Sequence, residues 1–193
     1  EGNVIGILGA NGTGKTTAIS LLAGEIIPNL GEWEEDGNWD NVIDYYAGTD
    51  IQKHFVGLSD EKIRIALKPQ YVDRIPKMFD GTLRELLEKV TSPDKVNEFA
   101  EKINLTSLDK NLSKVSGGEL QKGAIAATLL KDADLYFFDE PSSYLDIEQR
   151  ILMAKMISEL GEKKSVIVIE HDLAILDYVT NNIHVMYGSP NAY

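Results

Sequence analysis

A glycine-rich octapeptide, Gly-Ala-Asn-Gly-Thr-Gly-Lys-Thr at residues 9–16, directly follows a short apolar run at residues 4–8. Glycines at this spacing let successive backbone N–H groups turn toward an anion, and a helix that begins there adds its positive end. Lys15 is placed to reach the outer phosphates of a nucleotide, and the Thr16 hydroxyl is placed to ligate Mg²⁺. The octapeptide therefore predicts a phosphate-binding strand–loop–helix unit. The predicted nucleotide-binding residues of this unit are Asn11, Gly12, Thr13, Gly14, Lys15, Thr16 and Thr17.

The composition narrows the class of protein. With 193 residues the chain can bury one sizeable core together with a subsidiary lobe. No apolar run approaches the roughly 18 residues of a membrane span, and without cysteine the chain forms neither a disulfide nor an iron–sulfur centre. The net charge of −12 disfavours a wholly basic nucleic-acid-binding surface but still allows a local basic patch. The lack of cysteine fits a cytoplasmic location, and the two chain ends are typical of a segment of a longer protein.

Short apolar runs alternate with amphipathic segments along the chain. Nearly all-apolar runs flanked by helices are typical of an α/β fold whose mainly parallel sheet is buried on both faces. We therefore expect one α/β domain over residues 1–193. The predicted strands lie at residues 4–8, 63–67, 135–138, 166–169 and 183–187, and the first helix at residues 15–23.

Between residues 76 and 132, helix signals replace the strand pattern. Capping boxes begin at Thr82 and Ser116, and the pair Ser92-Pro93 places proline at a helix start. These signals predict a helical lobe inserted into the sheet domain.

The least regular stretch, residues 36–62, has aromatic residues spread among Asp, Asn, Gly and Lys. Two short helices near residues 40–46 and 50–55 are predicted for it. Aromatic residues at this density favour the small satellite core of a structural insert, and a docking surface is the alternative. His54, within this stretch, and His184 are interpreted as structural.

Acidic and polar side chains follow the predicted strands. Asp139 is placed to hold Mg²⁺ through water, and the adjacent Glu140 can position the attacking water as a general base. His171 follows another strand, where its neutral ring could bond a terminal phosphate or orient the water. Gln70 could reach both Mg²⁺ and water from the junction between core and lobe. The strand ends should bring these catalytic and metal-binding candidates to one edge of the sheet.

The segment Ser116-Gly117-Gly118-Glu119 predicts a second anion-binding helix end. Ser116 can cap this helix, and Glu119 can return a hydrogen bond to the cap. Glycine this early in a helix costs on the order of 1 kcal/mol per residue against alanine, which indicates that some group approaches the backbone closely. A ligand phosphate would explain the two glycines, and an ordinary capped helix with a glycine hinge is the alternative.

Taken in chain order, these motifs resemble those of the nucleotide-binding domain of ABC ATPases. In that family they are called the Walker A loop, Q-loop, signature, Walker B strand, D-loop (residues 143–146 here) and H-switch, and the match spans nearly the whole chain. The resemblance implies a P-loop NTPase core, ATP and Mg²⁺ as ligands, and Glu140 as the catalytic glutamate. It also implies that each ATP lies between the Lys15 loop of one domain and the Ser116 helix end of a second nucleotide-binding domain.

A narrower resemblance rests on residues 68–73, 138–146, 170–178 and 187–193. These segments are similar to the first nucleotide-binding domain of the ABC-type ribosome-recycling factors of archaea and eukaryotes, the RNase L inhibitor family. The resemblance implies that ATP hydrolysis splits and recycles ribosomal subunits in the cytoplasm.

The same resemblance implies a set of partners and no membrane. A helix-loop-helix insert at residues 36–62 would contact rRNA and protein of the small ribosomal subunit. A second nucleotide-binding domain would lie on the same chain, and a release or rescue factor would be a further partner. Two [4Fe–4S] clusters would belong to an N-terminal domain outside this sequence.

Two other functions stay open on the sequence alone. One is the ATPase subunit of an ABC membrane transporter, and the other is a nucleotide-sensing module in which ATP only sets conformation. The family pattern is also broken at Val115, Lys122 and Gly123, the last without an explanation from sequence, and no aromatic residue precedes Gly9 to stack on adenine. From the segment by itself we expect weak ATP binding and very slow hydrolysis.

Overall fold

The computed structural model describes residues 2–32 and 34–188, and its centre is a β-sheet whose strand pairings are parallel. The strands, in chain order, are β1 (Asn3–Gly9), β2 (Ile65–Lys68), β3 (Leu135–Asp139), β4 (Ser165–Ile169) and β5 (Asn182–Met186). Within the described residues they form one five-stranded sheet in the spatial order β2-β3-β4-β1-β5. The predicted α/β class and parallel sheet are therefore confirmed.

Helices cover the sheet and build the lobe and the insert. In the described part of the chain they are α1 (Lys15–Leu22), α2 (Trp39–Tyr45), α3 (Asp50–Ser59), α4 (Ile75–Met78), α5 (Leu83–Glu88), α6 (Pro93–Lys102), α7 (Gly117–Leu130), α8 (Ile147–Gly161) and α9 (Leu173–Val179). Single turns of 3₁₀-helix at Val72–Arg74 and Leu112–Lys114 connect parts of the lobe.

Strand β2 begins at Ile65 rather than at the predicted residue 63, because the backbone at residues 62 and 63 bonds back to the last turn of α3. The N–H groups of Lys62 and Ile63 both donate to the carbonyl of Gly57, at 2.8 and 3.2 Å. The Ile63 side chain also closes over Gly57, where an added Cβ would collide with it. Helix α3 consequently runs past the predicted residue 55 before the chain enters the sheet.

Both faces of the sheet are buried, as the strand composition predicts. On β3, Phe137 packs on one face with Ile19 of α1, and Tyr136 and Phe138 pack on the other with Ile157 of α8. This alternation is the two-residue period of a strand, and none of these side chains is more than 3% exposed. The end of β3, which carries the predicted catalytic acids, is therefore held rigidly.

The lobe has a core of its own. Leu83 of α5, Val96 of α6 and Leu120 of α7 meet there and are nearly fully buried. Helix α7 also sends Ile125 into the sheet core, so a single helix joins the two cores. Helices α5, α6 and α7 lie within residues 76–132, the range for which the helical lobe is predicted.

The insert packs its aromatic residues into a satellite core. The ring of Phe55 lies 5.8 Å from that of Trp39 and 5.4 Å from that of Tyr46, centroid to centroid. His54 Nε2 lies 2.7 Å from the carbonyl oxygen of Leu22, the last residue of α1. This bond fits the structural interpretation of His54 and ties the insert to the helix that follows the glycine loop.

Two departures from the family pattern have structural explanations. Gly123 lies where α5 crosses α7, and an added Cβ would collide with the buried side chain of Leu83. Lys122 is 7% exposed, donates to the carbonyl of Asn104 at 2.7 Å and pairs with Glu119. The glycine permits close helix packing, and the lysine fastens α7 to the end of α6.

Some sequence positions lie outside the described residues, namely 1, 33 and 189–193. They include most of the terminal segment 187–193 that carries part of the family resemblance. His184 lies exposed on β5, at one edge of the sheet. In the part of the chain that the structure describes, no helix combines the length and apolar character needed to cross a lipid bilayer.

Candidate nucleotide site

The parallel sheet brings four strand ends to one edge. The glycine loop follows β1, Gln70 follows β2, Asp139 and Glu140 close β3, and His171 follows β4. Parallel strands have their carboxyl ends on the same side, which is where open α/β sheets bind ligands. The predicted convergence of these side chains is a direct result of this topology.

The glycine loop turns sharply into α1. Gly12 and Gly14 have φ angles of 80° and 87°, in the left-handed region that glycine adopts without strain, and Gly14 caps α1. Lys15 is only 7% exposed, and its Nζ donates to the carbonyls of Gly9 and Ala10 at 2.8 and 2.9 Å. The loop backbone therefore holds the Lys15 ammonium group near the N-terminus of α1.

A cavity of about 500 Å³ opens above the loop. It is lined by Asn11, Gly12, Gly14, Lys15, Thr16, Thr17, Gln70, Tyr71, Glu140 and His171. Among the predicted loop residues, Thr13 does not line it. The Thr13 hydroxyl donates to the carbonyl of Ala10 at 2.8 Å. The lining combines backbone donors, one cation and the predicted catalytic side chains.

Thr16 and Asp139 form a pair suited to a hard cation. Thr16 Oγ1 donates to Asp139 Oδ2 at 2.8 Å, while Asp139 Oδ1 is buried without a hydrogen-bond partner among the described residues. Burial raises the pKa of the Asp139 carboxyl above its usual value, an effect that the Thr16 hydrogen bond partly offsets. An unpartnered carboxylate oxygen beside a hydroxyl is a ligand set that fits Mg²⁺.

Glu140 stands at the centre of the predicted catalytic group. Its Oε1 accepts from Gln70 Nε2 at 2.8 Å and lies 3.4 Å from His171 Nε2. The hydroxyl of Ser143 donates to Oε2 at 3.4 Å. Three side chains from separate loops thus meet on one carboxylate at the edge of the cavity, and Gln70 is bonded to Glu140 rather than to the Thr16–Asp139 pair.

The signature segment begins α7 but does not line this cavity. Ser116 Oγ accepts from the Glu119 N–H at 3.3 Å, as predicted for a cap. The second bond predicted for the capping box, from the Ser116 N–H to the Glu119 carboxylate, is wrong. That carboxylate instead accepts from the Ser107 N–H at 3.2 Å and pairs with Lys122. Glu119 therefore fastens the lobe instead of closing a capping box.

Gly118 of the signature lies close to another segment of this chain, whereas a side chain at Gly117 would make only ordinary contact with it. An added Cβ on Gly118 would lie 3.1 Å from the Tyr144 carbonyl oxygen, and one on Gly117 would lie 3.4 Å from the Tyr144 ring. The D-loop therefore approaches Gly118 closely, so a group of this chain accounts for that glycine beside the two explanations that the sequence left open, a ligand phosphate and a glycine hinge. Ser116 and Gly117 themselves are exposed at the surface.

Sequence reasoning missed three polar residues that shape the site, Lys68, Gln121 and Glu170, each at most 3% exposed. Glu170 Oε1 accepts from the N–H groups of His171 and Asp172 at 2.7 and 3.1 Å, which fixes the turn that presents His171. Burial lowers the pKa of Lys68 to about 8. For Lys68 and Glu170, a charged residue at the end of an otherwise apolar strand was the available signal, whereas Gln121 within α7 had none.

The fold and the loop together define the class. A parallel α/β sheet whose first strand leads through a glycine-rich turn into a helix, with acids on a neighbouring strand, is a P-loop nucleotide-binding domain. The model of the ABC transporter family matches residues 1–143, and the chain therefore belongs to that family of ABC-type ATPase domains. Nucleotide and Mg²⁺ are the ligands that membership implies.

Relatives place the chain within this family more narrowly. It is 50% identical over 191 residues to an uncharacterized ABC transporter ATP-binding protein of Methanocaldococcus jannaschii, covering 98% of this chain and 31% of the relative. It is 42% identical over 194 residues to ABC transporter E family member 1 of Arabidopsis thaliana, covering 100% of this chain and 32% of the relative. The chain thus spans about a third of the length of these relatives.

Solved structures show the same similarity. The structure titled RNase-L Inhibitor superposes with a TM-score of 0.92 at 51% identity, covering 100% of this chain and 38% of that one. A model of ribosome-bound archaeal Pelota and ABCE1 matches with a TM-score of 0.83 at 51% identity, covering 99% and 32%. The predicted resemblance to the RNase L inhibitor family is confirmed.

Proposed function

We propose that this domain binds and hydrolyses ATP with Mg²⁺ and that the cycle drives the splitting of ribosomal subunits by the full-length protein. The observation that carries the proposal is the meeting of Gln70, His171 and Ser143 on the Glu140 carboxylate beside a phosphate-loop cavity. Residues 1–193 act as one nucleotide-binding domain with a lobe at 76–132 and an insert at 36–62.

Binding would rest on the glycine loop. The backbone N–H groups around Gly12 and Gly14 and the positive end of α1 surround the phosphates, with Asn11, Thr13 and Thr17 flanking them. Lys15, now bonded to two loop carbonyls, reaches the outer phosphates. Thr16 and Asp139 would hold Mg²⁺, and the bound ion would supply positive charge beside the phosphate oxygens.

Hydrolysis would rest on Glu140. Its carboxylate lies at the cavity edge, where it accepts a hydrogen bond from the attacking water and orients it for in-line attack. His171 and Gln70, both within reach of the same carboxylate, orient the water and the terminal phosphate.

A second nucleotide-binding domain is needed to complete each site. Ser116 and Gly117 are exposed and lie outside the cavity lining of their own domain, so they are available to a nucleotide held by a partner. Head-to-tail pairing would give each nucleotide one glycine loop and one signature helix. Binding closes the pair, and hydrolysis reopens it. A single domain would then bind ATP weakly and turn it over slowly.

Ribosome splitting is supported by the components of a similar solved structure. One similar structure, at 51% identity, is titled as a complex of the archaeal ribosomal stalk protein aP1 with the ribosome recycling factor aABCE1. In this chain the insert, which is held to α1 through His54, would contact rRNA and protein of the small subunit. A release or rescue factor would be a further cytoplasmic partner, and the [4Fe–4S] clusters would lie in another domain.

The test is turnover and trapping in the full-length protein. Glu140→Gln should abolish multiple turnover of ATP and accumulate a closed, ATP-bound form that stays on the small subunit. Undiminished turnover would refute the role of Glu140. Co-sedimentation with membranes rather than ribosomes would favour a transporter subunit, and intact splitting by Glu140→Ala under multiple-turnover conditions would favour a nucleotide sensor.

A further inference from the structure

The peptide that carries the Glu140 carboxylate has an unusual backbone. Glu140 has a φ of 48°, in the left-handed region that residues with a Cβ rarely adopt. Such a conformation persists where the surrounding structure holds it, and it is common at functional sites. The direction of the Glu140 side chain therefore depends on contacts to the backbone on either side.

The Glu140 N–H donates to the carbonyl of Ile169 at 2.9 Å, and two buried side chains bind the neighbouring carbonyls. Lys68 Nζ donates to the carbonyl oxygens of Asp139 and Glu140 at 2.8 and 3.2 Å. Gln121 Nε2 donates to the carbonyl oxygens of Glu140 and Pro141 at 3.0 and 2.9 Å. Since the carbonyls before and after the Glu140 Cα are both bound by one ammonium group, both backbone torsions of Glu140 are restrained.

Packing alone does not explain why polar side chains occupy these two buried positions. Lys68 and Gln121 are both 0% exposed. Gln121 Oε1 has no hydrogen-bond partner among the residues that the structure describes, although burying an unpaired amide oxygen is unfavourable. An apolar side chain of similar size would avoid that cost, so the amide is explained by the two hydrogen bonds that its nitrogen donates.

We propose that Lys68 and Gln121 are positioning residues that hold the Glu140 backbone in its left-handed conformation and so aim the carboxylate at the attacking water. The inference rests on the proposed ATP hydrolysis. Neither residue lines the cavity above the glycine loop: Lys68 acts from the end of β2, and Gln121 acts from the second turn of α7. Their removal should slow hydrolysis while leaving the glycine loop and nucleotide binding intact.

The experiment compares kcat with nucleotide affinity in the full-length protein. Gln121→Leu should lower kcat for ATP about tenfold or more, as loss of alignment of a general base would, with the Kd of a fluorescent ATP analogue changed less than about twofold. Lys68→Met should behave alike. Thr128→Val is the matched control, because Thr128 is 4% exposed on the same helix and its hydroxyl bonds only the carbonyl of Ala124, at 2.9 Å.

A double-mutant cycle separates positioning from general loss of structure. In a Glu140→Gln background, Gln121→Leu should reduce the residual single-turnover rate less than about twofold, because it acts through Glu140. A full tenfold loss there, or an unchanged kcat in Gln121→Leu alone, overturns the inference. If Gln121→Leu does not fold, Gln121→Glu takes its place with the same expected and contradicting results, since it keeps the shape of the side chain and replaces the donating amide. A Glu140→Gln protein that turns over at the native rate would instead contradict the proposed role of Glu140 in hydrolysis.

Discussion

At the scale of single residues, Gly123 shows how a position without an explanation from sequence acquires one from packing. Glycine inside α7 weakens the helix, yet a side chain there would meet Leu83, which is 1% exposed in the lobe core. The helix tolerates a less favourable residue because the glycine lets α5 approach closely. The stability of the lobe therefore depends on a contact between helices rather than on helix propensity.

We expect Gly123→Ala to destabilise the domain by about 1 kcal/mol, because overpacking costs roughly 1–3 kcal/mol and the gain in helix propensity offsets only part of it. Urea unfolding measures the change. In a Leu83→Ala background the obstacle is gone, so the same substitution should stabilise by roughly 0.5–1 kcal/mol. An equal loss in both backgrounds would show that the Leu83 contact is not the cause.

At the scale of helices and strands, the capping residues of the lobe differ in the bonds they make, in line with their different sequence signals. Thr82 and Ser92 are both N-cap residues of lobe helices. Thr82 accepts from the Glu85 N–H and its own N–H donates to the Glu85 carboxylate, at 3.2 and 2.7 Å, whereas Ser92 makes no side-chain cap bond. The full capping box is the stronger start signal.

We expect Thr82→Ala to lower the free energy of unfolding by about 1 kcal/mol, since it removes the cap bond that the Thr82 hydroxyl accepts from the Glu85 N–H. Ser92→Ala should change it by less than about 0.5 kcal/mol, because the proline after it already favours the helix start. Chemical denaturation of both variants provides the comparison. Equal losses would contradict the assignment of the cap bond.

The insert offers a second prediction at this scale. The His54 bond to the Leu22 carbonyl is a tie between α3 and the end of α1. His54→Ala should therefore increase hydrogen exchange of the α3 amides, measured by mass spectrometry. Lys53→Ala, an exposed change on the same helix, serves as the control and should leave the exchange rates unchanged. Equal exchange in both variants would mean that the aromatic core alone holds the insert.

At the scale of the whole molecule, the sheet brings the site residues together, and helices connect the sheet to the insert and the lobe. Helix α1 begins at the glycine loop and ends at the insert, while α7 begins at the signature and packs against both cores. A ligand on the loop therefore contacts α1, which reaches the insert, while α7 joins the sheet core to the lobe core. Binding should stabilise the domain as a whole.

ATP with Mg²⁺ at a hundred times its Kd should raise the apparent stability of the native full-length protein by about 2.7 kcal/mol through mass action. Thermal unfolding would show the effect as an upward shift of the midpoint. Lys15→Ala should remove the share of the shift that this domain's site contributes, and chelation of Mg²⁺ should reduce it, because Thr16 and Asp139 would lose the ion that joins them to the phosphates. A full shift in Lys15→Ala would place the nucleotide elsewhere.

Much of the site was predictable because its motifs are local. The glycine loop, the acids after β3 and the histidine after β4 follow apolar runs directly, and parallel strands necessarily carry them to one edge. The pairing of Gln70 with Glu140 was less accessible, since 70 residues separate them. Convergence on one edge could be expected, whereas the particular hydrogen bonds could not.

By itself, the amino-acid sequence determined the fold class, the phosphate loop and the family, because each depends on residue types at short, regular spacings. Only the tertiary structure decided which side chains hold Glu140, why residue 123 is glycine, and that the Glu119 carboxylate fastens the lobe instead of its own cap. Those outcomes depend on the distance and direction between segments far apart in the chain, which are set by packing.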